Sequence, residues 1–317
     1  LSLFRCYTVY FLYYGDGINT RKGTGIFQTG LSNSCPELHK KWIKFLQNLG
    51  INKSGLRAKI QLGGYNKIQK SRLFDYWIKS TNLSRKNIIP NISLKRDVTT
   101  KEYGLLNINY NSKLFRLIFN KIFDYSLNLI KSNKTFSTHF IRGLFAAEGH
   151  VGNRNGSLNY LQIPIKDKKR RIYVKNLFDR LGIKTKDKYE RLDILGYLNF
   201  KIFKKFNLYS LHPEKNLKFE KVFNHLVTYG RVPALTKLKI IEILKNNKEL
   251  TRYQISKLTN IGISNVHKNL RDLEIKNIIT RSRKFLYKDK KYLGDVWSLI
   301  KIPEDPYILT TLDYCKK

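Results

Sequence analysis

The sequence predicts an α+β protein of two similar αββαββα units followed by a small domain of helices closed by a hairpin. Three observations predict it: an internal repeat at one fixed offset, apolar periodicity that alternates between helix and strand within each copy, and a change of pattern after about Gly230.

The repeat sets the frame. Tyr13-Tyr14-Gly15-Asp16-Gly17 recurs as Phe145-Ala146-Ala147-Glu148-Gly149, an apolar helix end, a small residue, an acid and a glycine. The segment 42–51, ending Leu49-Gly50-Ile51, recurs as 174–183, ending Leu181-Gly182-Ile183. Gly50 lies 34 residues past Asp16 and Gly182 lies 34 past Glu148, so both matches share an offset of 132. A third pair, Leu106-Asn107-Ile108-Asn109-Tyr110 and Leu192-Asp193-Ile194-Leu195-Gly196, reads as short strands leading into helices. Its spacing from the glycines differs, so the first copy carries an insertion at about 52–104, with a helical stretch at 73–79 and a loop near Pro90. The units are therefore placed at 1–132 and 133–231.

Each copy opens with a helix that ends at glycine, a residue suited to helix C-termini. Segments 25–31 and 158–165 follow as strands with side chains on alternate faces. Amphipathic helices with Leu-Gly-Ile ends come next. Val232-Pro233 then breaks the chain, and a third domain is placed at 235–303. In it, 236–245 is helical with Leu238, Ile241 and Leu244 on one face, and Thr251-Arg252-Tyr253-Gln254 is a capping box opening a second helix. The turn Ile261-Gly262-Ile263 leads to Ser264, the expected N-cap of a third. Strands at 278–282 and 296–300 flank a basic loop, 284–291. That order is a winged helix-turn-helix.

Charge narrows the partners. Lys and Arg number 61 against 23 Asp and Glu, giving +38, and a folded chain with that much like charge calls for a polyanion. A membrane surface would favour a clustered basic helix, whereas these cations run the whole length. The apolar stretch 9–14 is too short to span a bilayer. Codon drift in an AT-rich genome also enriches Lys, Asn, Ile and Tyr, so composition alone does not establish binding. Cys6, Cys35 and Cys315 form no disulfide or zinc framework, which fits a reducing, intracellular setting such as cytoplasm and nucleoid, or an organellar matrix.

The segments Val9-Tyr10-Phe11-Leu12-Tyr13-Tyr14-Gly15-Asp16-Gly17 and Ile141-Arg142-Gly143-Leu144-Phe145-Ala146-Ala147-Glu148-Gly149 resemble the two motifs of single-chain LAGLIDADG homing endonucleases. The second copy is close and the first degenerate; the resemblance runs on through His212-Pro213-Glu214-Lys215 and covers about the first 230 residues. It implies two helices packed backbone to backbone through small residues, with sheets forming a DNA-binding saddle. Gly143 and Ala147 supply the small pair in one helix and Gly15 one position in the other, but Phe11 stands where the family has a small residue. The resemblance further implies that Asp16 and Glu148, with Gly15 and Ala147 beside them, hold Mg²⁺ (or Mn²⁺) for phosphodiester hydrolysis. A polar residue over each acid orders water in the family; the offset puts Asn33 and Ile165 there, so the half-sites are unequal. Lys166 and His212 are weaker candidates for steadying phosphate charge.

Expected phosphate contacts are Lys168, Lys169, Arg170 and Arg171, the densest basic run, with a solvated face as the plain alternative. In the third domain Val266, Leu270 and Leu273 face the core, leaving Asn265, His267, Lys268, Asn269 and Arg271 to read a groove, while Lys288, Lys290 and Lys291 touch phosphates. The resulting expectation is a monomeric, metal-dependent endonuclease cutting double-stranded DNA at a long asymmetric site. Two rivals stand beside it: a non-cleaving transcription regulator on the same scaffold, and an RNA-binding intron maturase.

Overall fold

The computed structural model describes residues 8–19, 27–63, 69–89, 92–95, 102–154, 156–229, 233–285 and 292–303. The first copy contains helical residues 8–10, α1 (Tyr13–Asp16), β1 (Gly17–Asn19), β2 (Gln28–Asn33), α2 (Pro36–Asn48), β3 (Leu56–Gly63), α3 (Lys70–Thr81), β4 (Ser93–Lys95), β5 (Leu105–Asn111) and α4 (Lys113–Ser132). The second contains α5 (Lys134–Glu148), β6 (His150–Arg154), β7 (Ser157–Pro164), α6 (Lys168–Arg180), β8 (Thr185–Lys188), β9 (Arg191–Ile194), α7 (Tyr197–Lys205) and α8 (Pro213–Tyr229).

The repeat holds in the backbone. Helices α2 and α6 begin and end 132 residues apart, and Gly50 and Gly182 follow them at φ +84° and +77°, a left-handed turn that favours glycine. The sheets run β1-β2-β5-β3-β4 and β6-β7-β9-β8, the same order with one extra strand. Register corrects two expectations. Leu31 pairs with Ile108 and Ile163 with Leu192, so Ile108, not Leu106, is the counterpart of Leu192. Likewise Leu56 opposes Tyr110 as Thr185 opposes Ile194, which makes β3 the counterpart of β8. The added segment is therefore the far end of β3 with α3 and β4, and it does not start at residue 52. In β3 buried Leu56, Ala58, Ile60 and Leu62 alternate with Arg57, Lys59 and Gln61, while β8 keeps none of that pattern, so pairing register and not sequence matches the two strands.

One face of each sheet carries the core. Leu31, Ile108, Leu56, Ala58 and Ile60 are buried in the first, and Leu161, Ile163, Leu192 and Ile194 in the second. An aromatic cluster of Tyr10, Tyr13, Trp42, Phe45 and Phe119, with several rings edge to face, anchors the first motif helix.

The chain divides into two compact units. Unit 1 takes in Leu1–Asn153, Asn159–Leu195 and Ile202–Lys221, so both repeats lie largely within it; unit 2 takes Arg154–Leu158, Gly196–Lys201 and Val222–Lys317. The division falls within α8, ahead of the expected break at Pro233. Unit 2 continues with α9 (Pro233–Asn246), β10 (Leu250–Thr251), α10 (Arg252–Thr259), α11 (Ile263–Ile275), β11 (Ile279–Phe285) and β12 (Tyr292–Leu299), whose antiparallel sheet is ordered β10-β12-β11. Thr251 and Gln254 form the expected capping box. Ser264 is not the N-cap of α11: Gly262 is, with no side-chain cap, and Ser264 lies inside the first turn. Ile240, Leu244, Ile255, Val266, Leu270, Leu273 and Trp297 fill the core. Lys237, buried on the inner side of α9, pairs with Asp272 of α11, which also takes Lys276 at 3.2 Å. Among the described residues no helix is long and apolar enough to cross a membrane.

Candidate active site

The site is built where the two motif helices of unit 1 cross. A Cβ on Gly15 would lie 2.6 Å from Cβ of Ala147, and one on Gly143 would lie 2.7 Å from the carbonyl oxygen of Thr8 and 2.9 Å from Cβ of Phe11. Backbones this close leave no space for larger side chains. Phe11 does not hold the helices apart, because Gly143 of the partner helix supplies the missing space. Its ring is fully buried, edge-on to Phe140 at 5.4 Å.

This crossing brings the helix ends, and thus Asp16 and Glu148, together. Asp16 Oδ2 accepts a hydrogen bond from Asn33 Nδ2 at 2.6 Å. Asn33 is itself fixed: its Oδ1 accepts from the Cys35 N–H at 2.7 Å, and its main-chain oxygen accepts from His39 Nε2 at 2.9 Å. Burial pushes His39 down to about 4, so its ring is neutral at physiological pH and its Nε2–H donates. Asn33 thus meets the acid that the sequence assigned it to.

Both acids hold protons more tightly than usual. Asp16 is pushed up to about 7, mainly by burial and further by the charge of Glu148, while Asn33 and Lys215 pull it back. Glu148 is raised by burial, with Lys215 and Arg170 opposing. Two desolvated carboxylates that repel one another want more positive charge than their neighbours supply. Hard oxygen ligands in that state suit a divalent cation of the Mg²⁺ type. Among the described residues no cluster of three or more His, Cys, Asp or Glu exists to hold a metal. A cation here would rest on these two carboxylates with main-chain and substrate oxygens.

Lys215 ends the segment His212-Pro213-Glu214-Lys215, in which no residue pattern marks it for this site. Its ammonium donates to the carbonyls of Phe145 (3.1 Å), Ala146 (2.7 Å) and Ala147 (3.0 Å), closing the C-terminus of α5. Helix-end carbonyls need donors, but nothing local says that one comes from 67 residues downstream. It also occupies one side of the Ala147 carbonyl, a main-chain oxygen expected to serve a metal. His212, three residues earlier, is buried and does not present its ring to solvent.

The second half differs. Ile165, the counterpart of Asn33, is buried and gives its N–H to the Glu190 carbonyl at 2.7 Å. A pocket of about 370 Å³ opens beside Glu148, lined among others by Tyr14, Ile165, Lys166 and Arg170. The Arg170 guanidinium stacks on Tyr14 at 4.1 Å. The basic run of α6 therefore splits. Lys168 and Lys169 are exposed, and Arg170 faces the pocket. Arg171 is not a free phosphate contact: it pairs with Asp187 at 2.8 Å and donates to the carbonyls of Ile165 and Lys166.

The sheet faces turned away from the core carry polar side chains that no local motif announced. Gln28, Ser32, Arg57, Lys59, Gln61 and Asn109 alternate with core residues in the first sheet. In the second, Lys188 and Arg191 flank Asp193 at 3.0 and 3.2 Å and offset its charge. In unit 2, Asn265, Lys268 and Arg271 are exposed on α11 and His267 is half-buried. Asn269 is not a groove reader: it is buried, and its Nδ2 donates to the Asn265 carbonyl at 2.7 Å, because its position turns toward the core beside Leu270. Lys288, Lys290 and Lys291 lie outside the described residues.

Residues 135–205 match the family model of the LAGLIDADG-like domain. No curated protein matches the chain. Among solved structures, the homing endonuclease I-DmoI in complex with DNA and Ca is similar at 16% identity and a TM-score of 0.40, over 68% of this chain and 97% of that one. The same enzyme with DNA and Mn gives 15% and 0.38, over 65% and 98%. Full-length DUF199/WhiA from Thermatoga maritima gives 12% and 0.40, over 84% and 89%. Likeness at these identities and scores assigns no residue a role.

Proposed function

We propose that unit 1 is a site-specific double-strand DNA endonuclease of the homing type, and that unit 2 is a winged helix-turn-helix that adds DNA affinity. The observation that carries this reading is the pair of acids at the ends of two tightly crossed helices, both made proton-hungry by burial. The LAGLIDADG-like match covers the second of those helices, and the charge of +38 supplies the attraction to a polyanion. A divalent cation, Mg²⁺ or Mn²⁺, held by Asp16 and Glu148 with the main-chain oxygens of Gly15 and Ala147, would acidify water and stabilise the leaving oxygen of a phosphodiester.

The chain's own residues do the rest. Asn33 fixes the Asp16 carboxylate in one orientation and, through its second N–H, can hold a water over that half-site. Lys215 lowers the proton affinity of both acids and steadies the helix end that carries Glu148. Arg170 and Lys166 line the pocket beside Glu148, where negative charge on a phosphate would gather. The polar outer faces of the two sheets are suited to base edges, amides to adenine and Arg57 to guanine. Both acids come from one polypeptide, so a monomer is sufficient to cut an asymmetric site, inside a cell's cytoplasm and nucleoid or an organelle matrix.

The test uses a plasmid bearing the gene's own flanking sequence. Linear product is expected with Mg²⁺, and Asp16→Asn or Glu148→Gln should remove it while a gel shift on the same DNA survives. A shift without cutting, in Mg²⁺ and Mn²⁺ alike, leaves the second reading, a non-cleaving DNA-binding regulator. Ile165 favours that reading, because it leaves the second half-site without a polar side chain to order water.

A further inference from the structure

Helix α4 is apolar on both sides. Phe119, Ser126 and Ile130 are buried on the inner side, where the Phe119 carbonyl also accepts from Tyr10 Oη at 3.1 Å. On the outer side Leu114, Leu117, Ile118, Ile122 and Tyr125 stand between 48% and 69% exposed. At 3.6 residues per turn these five form one row along the helix, with Lys121 on the same face near its middle. Single exposed apolar residues need no explanation, but five in one row are the mark of a contact surface.

We propose that this outer face of α4 docks an amphipathic helix of another protein, one that brings a carboxylate opposite Lys121. The position of Lys121 decides among occupants. Anything that covers the row must desolvate that ammonium, which is costly unless an acid meets it. A second copy of this chain, packed antiparallel about the middle of the row, would set Lys121 beside its own twin. A lipid surface suits lysines that border an apolar face and reach outward to the headgroups, whereas Lys121 stands within the row near its middle. Along one border of the row Lys113 and Lys131 add positive charge against Asp124 alone, so the rim too favours an acidic partner. Recognition would follow the helix-in-groove pattern of apolar anchors one turn apart.

The proposal is independent of the nuclease reading and is tested on the full-length chain. The probe is a labelled synthetic helical peptide with leucines at helical spacing and a central Glu, read by fluorescence anisotropy at physiological salt. Two controls are a peptide of identical composition in permuted order and the same helix with a central Lys. The wild type should bind the Glu-centred peptide at least roughly tenfold more tightly than either control. Lys121→Glu should reverse the preference between Glu- and Lys-centred peptides, and Ile118→Asp should remove binding while a DNA gel shift stays unchanged. Equal binding of the permuted peptide overturns the proposal by showing only charge attraction. A wild-type dimer in sedimentation that Ile118→Asp dissolves assigns the face to a second copy instead. Co-flotation with phosphatidylcholine–phosphatidylserine vesicles, lost in Ile118→Asp, assigns it to lipid.

Discussion

The two halves of unit 1 share a backbone and differ in chemistry. Helix ends, glycine turns and strand order coincide at one offset, yet Asp16 is held by Asn33 while Glu148 faces a pocket with Ile165, Lys166 and Arg170. Even the crossing is complementary and not symmetric, since Gly143 makes room for Phe11 while Gly15 makes room for Ala147. Packing constrains which residues are small at the seam as a sum over both helices. Each half is then free to diverge where only its own acid is served.

The comparison breaks hardest at the acids. Asp16→Asn and Glu148→Gln should each lower cleavage by on the order of 10³-fold or more in steady-state assays, if both halves depend on one shared centre. A variant that still nicked one strand at the wild-type rate would show two independent centres instead. Stability should move the other way. Folded Asp16 holds its proton to about 7 against an ordinary value of 3.8, so its contribution to metal-free stability is full below the ordinary value and is lost as pH rises toward 7. Thermal melts without metal should therefore show Asp16→Asn more stable than wild type above neutrality and indistinguishable from it in acid.

Gly143→Val tests the seam itself. The new side chain would start 2.7 Å from the Thr8 carbonyl oxygen, in backbone that cannot move aside without separating the acids. A loss of about 3 kcal/mol or more is expected in denaturant unfolding, with cutting lost in whatever protein folds. Near-wild-type stability would mean the helices do not cross this closely.

Much of this was legible in the chain because it is local. A glycine that must turn left, an acid before a glycine and a fixed offset are written in neighbouring residues, and they gave the repeat and the acid pair. What was not legible depends on distant partners. The donor closing α5 is Lys215, Arg171 is occupied by Asp187 and two carbonyls, and Asn269 turns inward; none of these partners shows in a local pattern. Strand β3 was hidden for a related reason, since its match to β8 lies in pairing register and not in side-chain identity.

Changing one neighbour of each acid sharpens the comparison. Asn33→Leu removes a hydrogen bond to an ionised carboxylate, worth about 1.5–3 kcal/mol. Asp16 should then hold its proton to still higher pH, and the pH–rate profile should shift to the alkaline side with roughly tenfold weaker apparent metal affinity. Arg170→Leu acts on the other half and less strongly. Glu148 loses one of two cations that oppose its burial, and the salt dependence of DNA binding should flatten by about one unit of slope if Arg170 meets a phosphate. An unchanged slope would confine Arg170 to its stack on Tyr14.

The smallest effects separate neighbours on α11. Asn265 is exposed and Asn269 buried against it, so alanine at each should fail in different assays. Asn265→Ala should weaken DNA binding by a factor of about 5–10, as loss of one groove contact would, without altering the melt. Asn269→Ala should cost about 1 kcal/mol of stability and leave affinity alone, because it is buried and its amide donates to the Asn265 carbonyl within the helix. If Asn269→Ala weakened DNA binding in a protein of unchanged stability, the inward orientation of that side chain would be wrong, and the face of α11 presented to DNA would have to be turned by about one residue.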